Sequence, residues 1–329
     1  MEGVAGSSGR GVTETKRGSD AHARERRAGH APCYGLPVSD RPDWHATLSL
    51  ADVPFSIRVR GESLAHLERR LGPFRASSDP GVGTRTLHVD VSCDPRHAAL
   101  PLPEGVAFPG CAAAREASGV LVFRGLGFEL RFDETRANAS VRTTPTMTAT
   151  PDDRTMVDTA LRLLLSYVLP SHDGILLHAC GYADQRGAVV FPGLSDEGKT
   201  TTARKLPPAG VLSDDQVALR RVDGVWHAYS LPFVGEYGTP THAHAARLRS
   251  ILVLEKAVGP ARRSKLAHAD AVGALMACAP WYVPGDGGLR TLLDTCFELA
   301  AAEYVQTLLL GRDEPVMPVV DEVLECPPG

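Results

Sequence analysis

Gly187-Ala-Val-Val-Phe-Pro-Gly-Leu-Ser-Asp-Glu-Gly-Lys-Thr-Thr-Thr202 decides how the rest of the chain is read. Gly187–Phe191 is a short apolar run rich in β-branched residues, which predicts a buried strand. Gly193 and Gly198 frame the loop that follows, and a helix opens at Lys199. Together, Gly193, Gly198, Lys199 and Thr200 fit the phosphate-loop spacing of glycine, four variable residues, then Gly-Lys-Ser/Thr. The glycines let the backbone curl, so that N–H groups across Leu194, Ser195, Asp196 and Glu197 can converge on one phosphate. The helix opening at Lys199-Thr200-Thr201 adds the positive end of its dipole. The Lys199 ammonium would reach the β- and γ-phosphates, and the Thr200 hydroxyl would bind Mg²⁺. Lysine is scarce here, five residues against thirty arginines, so composition does not readily supply this pattern by chance; a glycine turn with a solvated lysine is the alternative.

Further along, the apolar strand predicted over Val211–Leu219 carries Asp214 and Asp215. A carboxylate at a strand end beside a phosphate loop is the usual partner of nucleotide-bound Mg²⁺. Adjacent strand residues face opposite sides. One aspartate could therefore serve the metal and the other act as base for an incoming hydroxyl; a water-exposed Asp-Asp turn is the alternative. Upstream, Gly174–Tyr182 forms a hairpin with Gly187–Phe191 through the turn Ala183–Arg186. His178 lies in this apolar strand, as a core residue or as part of the site. His172, His242, His244 and His268 have no partner at metal-ligand spacing and read as surface or loop residues. Cys180 reads as packing.

The bulk properties narrow the classes. A chain of 329 residues has room for one large or two medium domains. A net charge of −4 leaves no nucleic-acid footprint. No apolar run approaches the roughly 18–20 residues that span a bilayer, and no signal-peptide core opens the chain. Seven cysteines, odd in number and without CxxC spacing, point to reduced thiols and a cytoplasmic location.

Residues 1–43 read as a disordered tail, rich in Gly, Ser, Arg and Ala. Residues 44–150 read as a β-rich domain. Its strands are expected over His45–Leu50, Pro54–Arg60, Thr86–Ser92, Val120–Arg124, Phe128–Phe132 and Ser140–Thr144, and Ser63 caps a short helix. Residues 151–329 hold the nucleotide-binding half. Thr150-Pro151-Asp152-Asp153 starts a helix that Pro170 closes. Val225–Leu231 and Arg249–Glu255 read as strands, and Ala269–Ala277 and Leu289–Leu310 as helices.

Three elements in series, His178, Gly193–Thr200 and Leu212-Ser-Asp-Asp-Gln216, carry a resemblance over about residues 155–320. They look like the catalytic domain of the HPr kinase/phosphorylase family, especially its shorter HPr-kinase-related bacterial members. Pro232-Phe-Val-Gly-Glu-Tyr-Gly238 is similar to that group too. The resemblance implies an α/β P-loop domain of the HPr kinase/phosphoenolpyruvate carboxykinase type beside a smaller β-rich domain. It implies Mg²⁺-dependent transfer of the ATP γ-phosphoryl group to a serine-type hydroxyl on a peptide, protein or small molecule. By this carry-over Lys199 and Thr200 handle phosphates and metal, and Asp214 and Asp215 share metal binding and proton removal. His178 would help position the phosphoryl group, and Glu236 would contact metal or substrate. Full-length members assemble into hexamers, so homo-oligomers are a further implication.

Two departures accompany it. Asp196 stands where the family has glycine, followed by Glu197, and carboxylates turned inward would oppose a polyanion. That favours an alternative, a weak or inactive nucleotide-binding accessory protein. The glycine-rich phosphorylase segment is also missing, so reverse activity is not expected. Gly193-Leu-Ser and Gly198-Lys-Thr-Thr look like phosphoenolpyruvate carboxykinase as well, but that enzyme is longer and carries further Arg, Lys and His ligands.

Overall fold

A computed structural model describes residues 43–77, 85–100, 111–145, 156–194, 196–233, 235, 243–283, 287–302 and 304–325, a mixed α/β chain built on two sheets. Ser195, Glu236 and the Pro151–Asp153 helix start lie outside the described residues, as do residues 1–42 of the predicted tail.

The first sheet comprises β1 (Trp44–Leu50), β2 (Val53–Arg60), β3 (Leu87–Cys93), β4 (Cys111–Arg115), β5 (Leu121–Gly125), β6 (Phe128–Asp133) and β7 (Asn138–Thr143). Its order is β1-β2-β3-β7-β6-β5-β4. Trp44, Ala46, Leu48 and Leu50 are buried while the residues between them are not, the period-2 pattern of a sheet with one covered face. Ala51 and Asp52 both take positive φ, which turns β1 tightly into β2. Helix α1 (Leu64–Leu71) follows β2, and the Ser63 side chain caps it by accepting from the His66 N–H, as the sequence predicts. Helix α2 (Met156–Val168) buries Val157, Ala160, Leu161, Leu164 and Leu165 in the same core as this sheet.

The second sheet is built from β8 (Gly174–Asp184), β9 (Gly187–Pro192), β10 (Val211–Ser213), β11 (Gln216–Val222), β12 (Val225–Tyr229), β13 (Ala245–Lys256), β14 (Arg262–Lys265) and β15 (Val305–Leu310). Its hydrogen-bonded neighbours close a circuit, β8–β9–β13–β12–β11 and back to β8. Among the described residues of this sheet, only the β9–β13 and β13–β15 pairings are parallel. On one face Ile175, Leu177 and Ala179 of β8 pack with α4 (His268–Cys278) and α5 (Gly287–Ala301). On the other face Leu176 joins the α2 core, whereas Cys180 and Tyr182 meet α3 (Lys199–Arg204) and α6 (Met317–Glu325). Cys180 is packing, as expected.

Two predicted elements need correction. The helix expected over Leu289–Leu310 ends at Ala301, and Val305–Leu310 is instead β15, parallel to Ile251–Lys256. A short apolar run has no period of its own that separates strand from helix, and pairing with β13 decides it. The strand expected over Val211–Leu219 is interrupted at Asp214-Asp215. Both halves still pair with β8, through Ser213↔Gly181 and Gln216↔His178. Among the described residues no helix is long and apolar enough to cross a membrane.

Candidate functional site

Strand β8 carries both halves of the predicted site. The Gly193 N–H donates to the His178 carbonyl at 3.2 Å, which fixes the start of the loop. One residue on, the Ala179 N–H donates to the Asp215 carbonyl at 3.1 Å. The loop leaves β9 at Pro192 and returns into α3 through two left-handed residues, Asp196 (φ 67°) and Gly198 (φ 102°). Aspartate tolerates that conformation better than most side chains, so the loop closes without a glycine at position 196. Asp196 and Thr201 are exposed, as is Leu194, while Lys199 is buried.

The interior of the loop is taken up by its own groups. Glu197 Oε2 accepts from the Leu194 N–H at 2.6 Å. It also sits where a Cβ on Gly193 would meet it at 3.0 Å. Lys199 Nζ donates to the Leu194 carbonyl at 2.7 Å. A carboxylate therefore accepts from a backbone amide of the predicted phosphate cradle. Burial lowers the pKa of Lys199 from the ordinary lysine value, while the charges of Asp215 and Glu197 act in the opposite direction. The nearby Cys278 thiol is pushed up to about 11 by burial and is inert at neutral pH.

Asp214 and Asp215 are both buried and meet different partners. Asp214 Oδ2 accepts from Thr200 Oγ1 at 3.2 Å, which links the carboxylate to the first turn of α3. The Ser213 hydroxyl accepts from the N–H groups of Asp215 and Gln216, both at 3.1 Å, and holds the break between β10 and β11. Gly235 passes directly over Asp214, and a Cβ there would overlap its carboxylate. Gly235→Ala is therefore expected to cost about 1–3 kcal/mol of stability by overpacking and to displace Asp214 from Thr200. Thermal unfolding of the variant, paired with Mg²⁺-ATP calorimetry, checks both effects.

Asp215 faces the other way. Its Oδ2 pairs with Arg162 of α2, and its Oδ1 lies 3.5 Å from His178 Nε2. Arg162 also lies over the Phe233 ring, 4.6 Å from its centroid. One turn earlier on α2, Asp158 pairs with Arg70 of α1 in a fully buried contact, and Arg70 donates to the Pro232 carbonyl at 3.3 Å. His178 is thus a partly exposed site neighbour, not a sealed core residue.

The structure brings together Gly193, Leu194, Glu197, Gly198, Lys199, Thr200, Asp214, Asp215 and His178. Sequence reasoning missed Arg162, Gln216 and Gly235 as site residues. Arg162 left a readable signal, a charge between Leu161 and Leu163 in an apolar helix. Gly235 lies within the Pro232–Gly238 motif, but its role shows only in the approach of the chain to Asp214.

Thr200 and Asp214 offer hard oxygen donors that suit Mg²⁺, an ion that takes one or two carboxylates and completes its shell with water and phosphate oxygens. Among the described residues no group of three or more His, Cys, Asp and Glu side chains could hold a metal alone. No protein-family model and no curated protein matches the chain.

Proposed function

We propose that the chain is an ATP- and Mg²⁺-dependent kinase of the HPr-kinase-related P-loop type, acting on a hydroxyl. One observation carries this reading: the Thr200 hydroxyl and the Asp214 carboxylate meet at 3.2 Å at the head of the Gly193–Lys199 loop. Asp215 lies next along the chain, with its Oδ1 3.5 Å from His178 Nε2 of β8. Thr200 and Asp214 would hold Mg²⁺, which neutralises phosphate charge when bound. Lys199 would exchange the Leu194 carbonyl for the phosphates. In the transfer, the acceptor oxygen bonds to the γ-phosphorus as the bond to the β,γ-bridging oxygen breaks. That electron pair leaves on ADP, and the hydroxyl proton passes to Asp215. The ion pair with Arg162 holds the Asp215 carboxylate in place beside His178.

A second reading, a nucleotide-binding accessory protein without turnover, is favoured by Glu197 in the loop. Calorimetry separates the two, followed by a phosphotransfer assay. Lys199→Ala should weaken Mg²⁺-ATP binding by about 10- to 100-fold, the loss of a charge-assisted hydrogen bond. Asp214→Asn should weaken it only when Mg²⁺ is present. Binding without phosphotransfer to any hydroxyl acceptor would favour the accessory role. No binding by the folded natural protein would end both readings.

A further inference from the structure

Beside Asp215 opens a cleft of about 380 Å³, lined by Arg162, His178, Asp215, Gln216, Cys278 and Tyr282 among others. That volume lies within the roughly 300–1,000 Å³ of small-molecule sites. Its polar wall has an unmet need. Gln216 is 8% exposed, and its Oε1 is buried with no hydrogen-bond partner among the described residues. A buried amide oxygen left unpaired is costly and rare, and this one belongs to a side chain that lines the cleft.

The charges decide what kind of ligand satisfies it. Arg162 is already paired with Asp215, so among the described residues the cleft offers an anion no uncommitted guanidinium. Asp215 and Gln216 Oε1 are acceptors, so the ligand must donate. Gln216 is also the register partner of His178 across β11 and β8. Partners on antiparallel strands have Cα atoms about 4.5–5.5 Å apart. Acceptors on the adjacent residues Asp215 and Gln216, lining one small cleft, suit two donors carried on a compact molecule.

We propose that this cleft binds a small polyol or amino alcohol. One hydroxyl meets Asp215 beside His178, and a second O–H or N–H donates to Gln216 Oε1. This molecule is the phosphate acceptor, an assignment that rests on the kinase reading above, although the binding itself does not. The wall formed by Ala277–Pro280 and Tyr282 at the end of α4 is apolar or neutral and covers the carbon skeleton.

The test uses the full chain with serinol and myo-inositol as probes, following the Gln216 side-chain amide by ¹H–¹⁵N NMR. A saturable shift is expected below about 100 mM, a range that includes millimolar dissociation constants. Gln216→Leu, followed through neighbouring amides, should weaken binding by at least about tenfold, because the site is built around that hydrogen bond. Gln216→Met serves as a second variant should the first fail to fold. Lys199→Ala should leave the probe shift intact. No saturable shift with either probe, or equal binding by the Gln216 variants, would overturn the proposal. Tighter binding of a serine-containing peptide than of either probe would overturn it in favour of a peptide site. Probe binding by a natural protein that does not bind Mg²⁺-ATP would keep the cleft and remove the kinase reading.

Discussion

Asp158→Ala should destabilise the protein by about 3–5 kcal/mol, because it strips a buried arginine of its counter-charge. The Arg70 and Asp158 side chains are only 2% and 3% exposed, so water cannot replace the lost partner. Arg70→Ala should cost a similar amount and also release the Pro232 carbonyl. A double variant, Arg70→Met/Asp158→Leu, should recover most of the loss, since an apolar pair of similar volume often matches a buried ion pair. Urea unfolding of the three proteins measures this directly. A single-variant loss below about 1 kcal/mol, the range of a surface pair, would show that solvent or another group takes over. The effect should reach the site as well. Asp158 and Arg162 are one turn apart on α2, and Pro232 precedes the Phe233 ring that supports Arg162. Loosening Arg70 should therefore disturb Asp215 without touching it.

Removal of the Glu197 carboxylate should tighten Mg²⁺-ATP binding. In the folded chain this group accepts from the Leu194 N–H, which the phosphate-loop reading assigns to the nucleotide. A nucleotide must displace it and then tolerate its charge. Hydrogen bonds to charged groups contribute about 1.5–3 kcal/mol, so Glu197→Ala should raise affinity about 10- to 100-fold. Glu197→Gln keeps the shape and loses the charge, and should gain less. Unchanged affinity would mean that the side chain swings aside at no cost. Weaker binding would mean that Glu197 itself contacts the nucleotide or its metal. Comparing the two variants by calorimetry separates competition for the amide from charge repulsion.

Much of the fold was legible because its signals are local. The alternation in Trp44–Leu50, the Ser63 cap and the strand-loop-helix order of residues 187–204 each follow from neighbouring side chains. Where distant contacts decide, the reading failed. Val305–Leu310 became a strand because β13 offers it a parallel edge. Cys111–Arg115, mostly alanine, has little strand preference of its own and joins the first sheet through β5. The site divides in the same way. The loop and the aspartate pair are contiguous motifs, but the chain bends at Asp214-Asp215, so the different partners of the two carboxylates do not come from the strand alternation expected of them. Arg162 reaches Asp215 across 53 positions of sequence, and the orphaned oxygen of Gln216 exists only once the surrounding elements have packed.

The attachment of Gly193 and Asp215 to successive residues of β8 has a consequence for how this chain can change length. The loop and the carboxylates are spaced by the backbone lattice of one strand, so side-chain substitutions along β8 leave their separation intact. A single residue inserted between His178 and Gly181 would act differently. It would reverse the pleat beyond that point, turn Cys180 and Tyr182 toward the α4–α5 side, and pull the Ser213 anchor out of step with Gly193. In these few residues insertion shifts the spacing of the site, while replacement is limited by packing, as at Gly181, where a Cβ would meet Val217 at 2.9 Å.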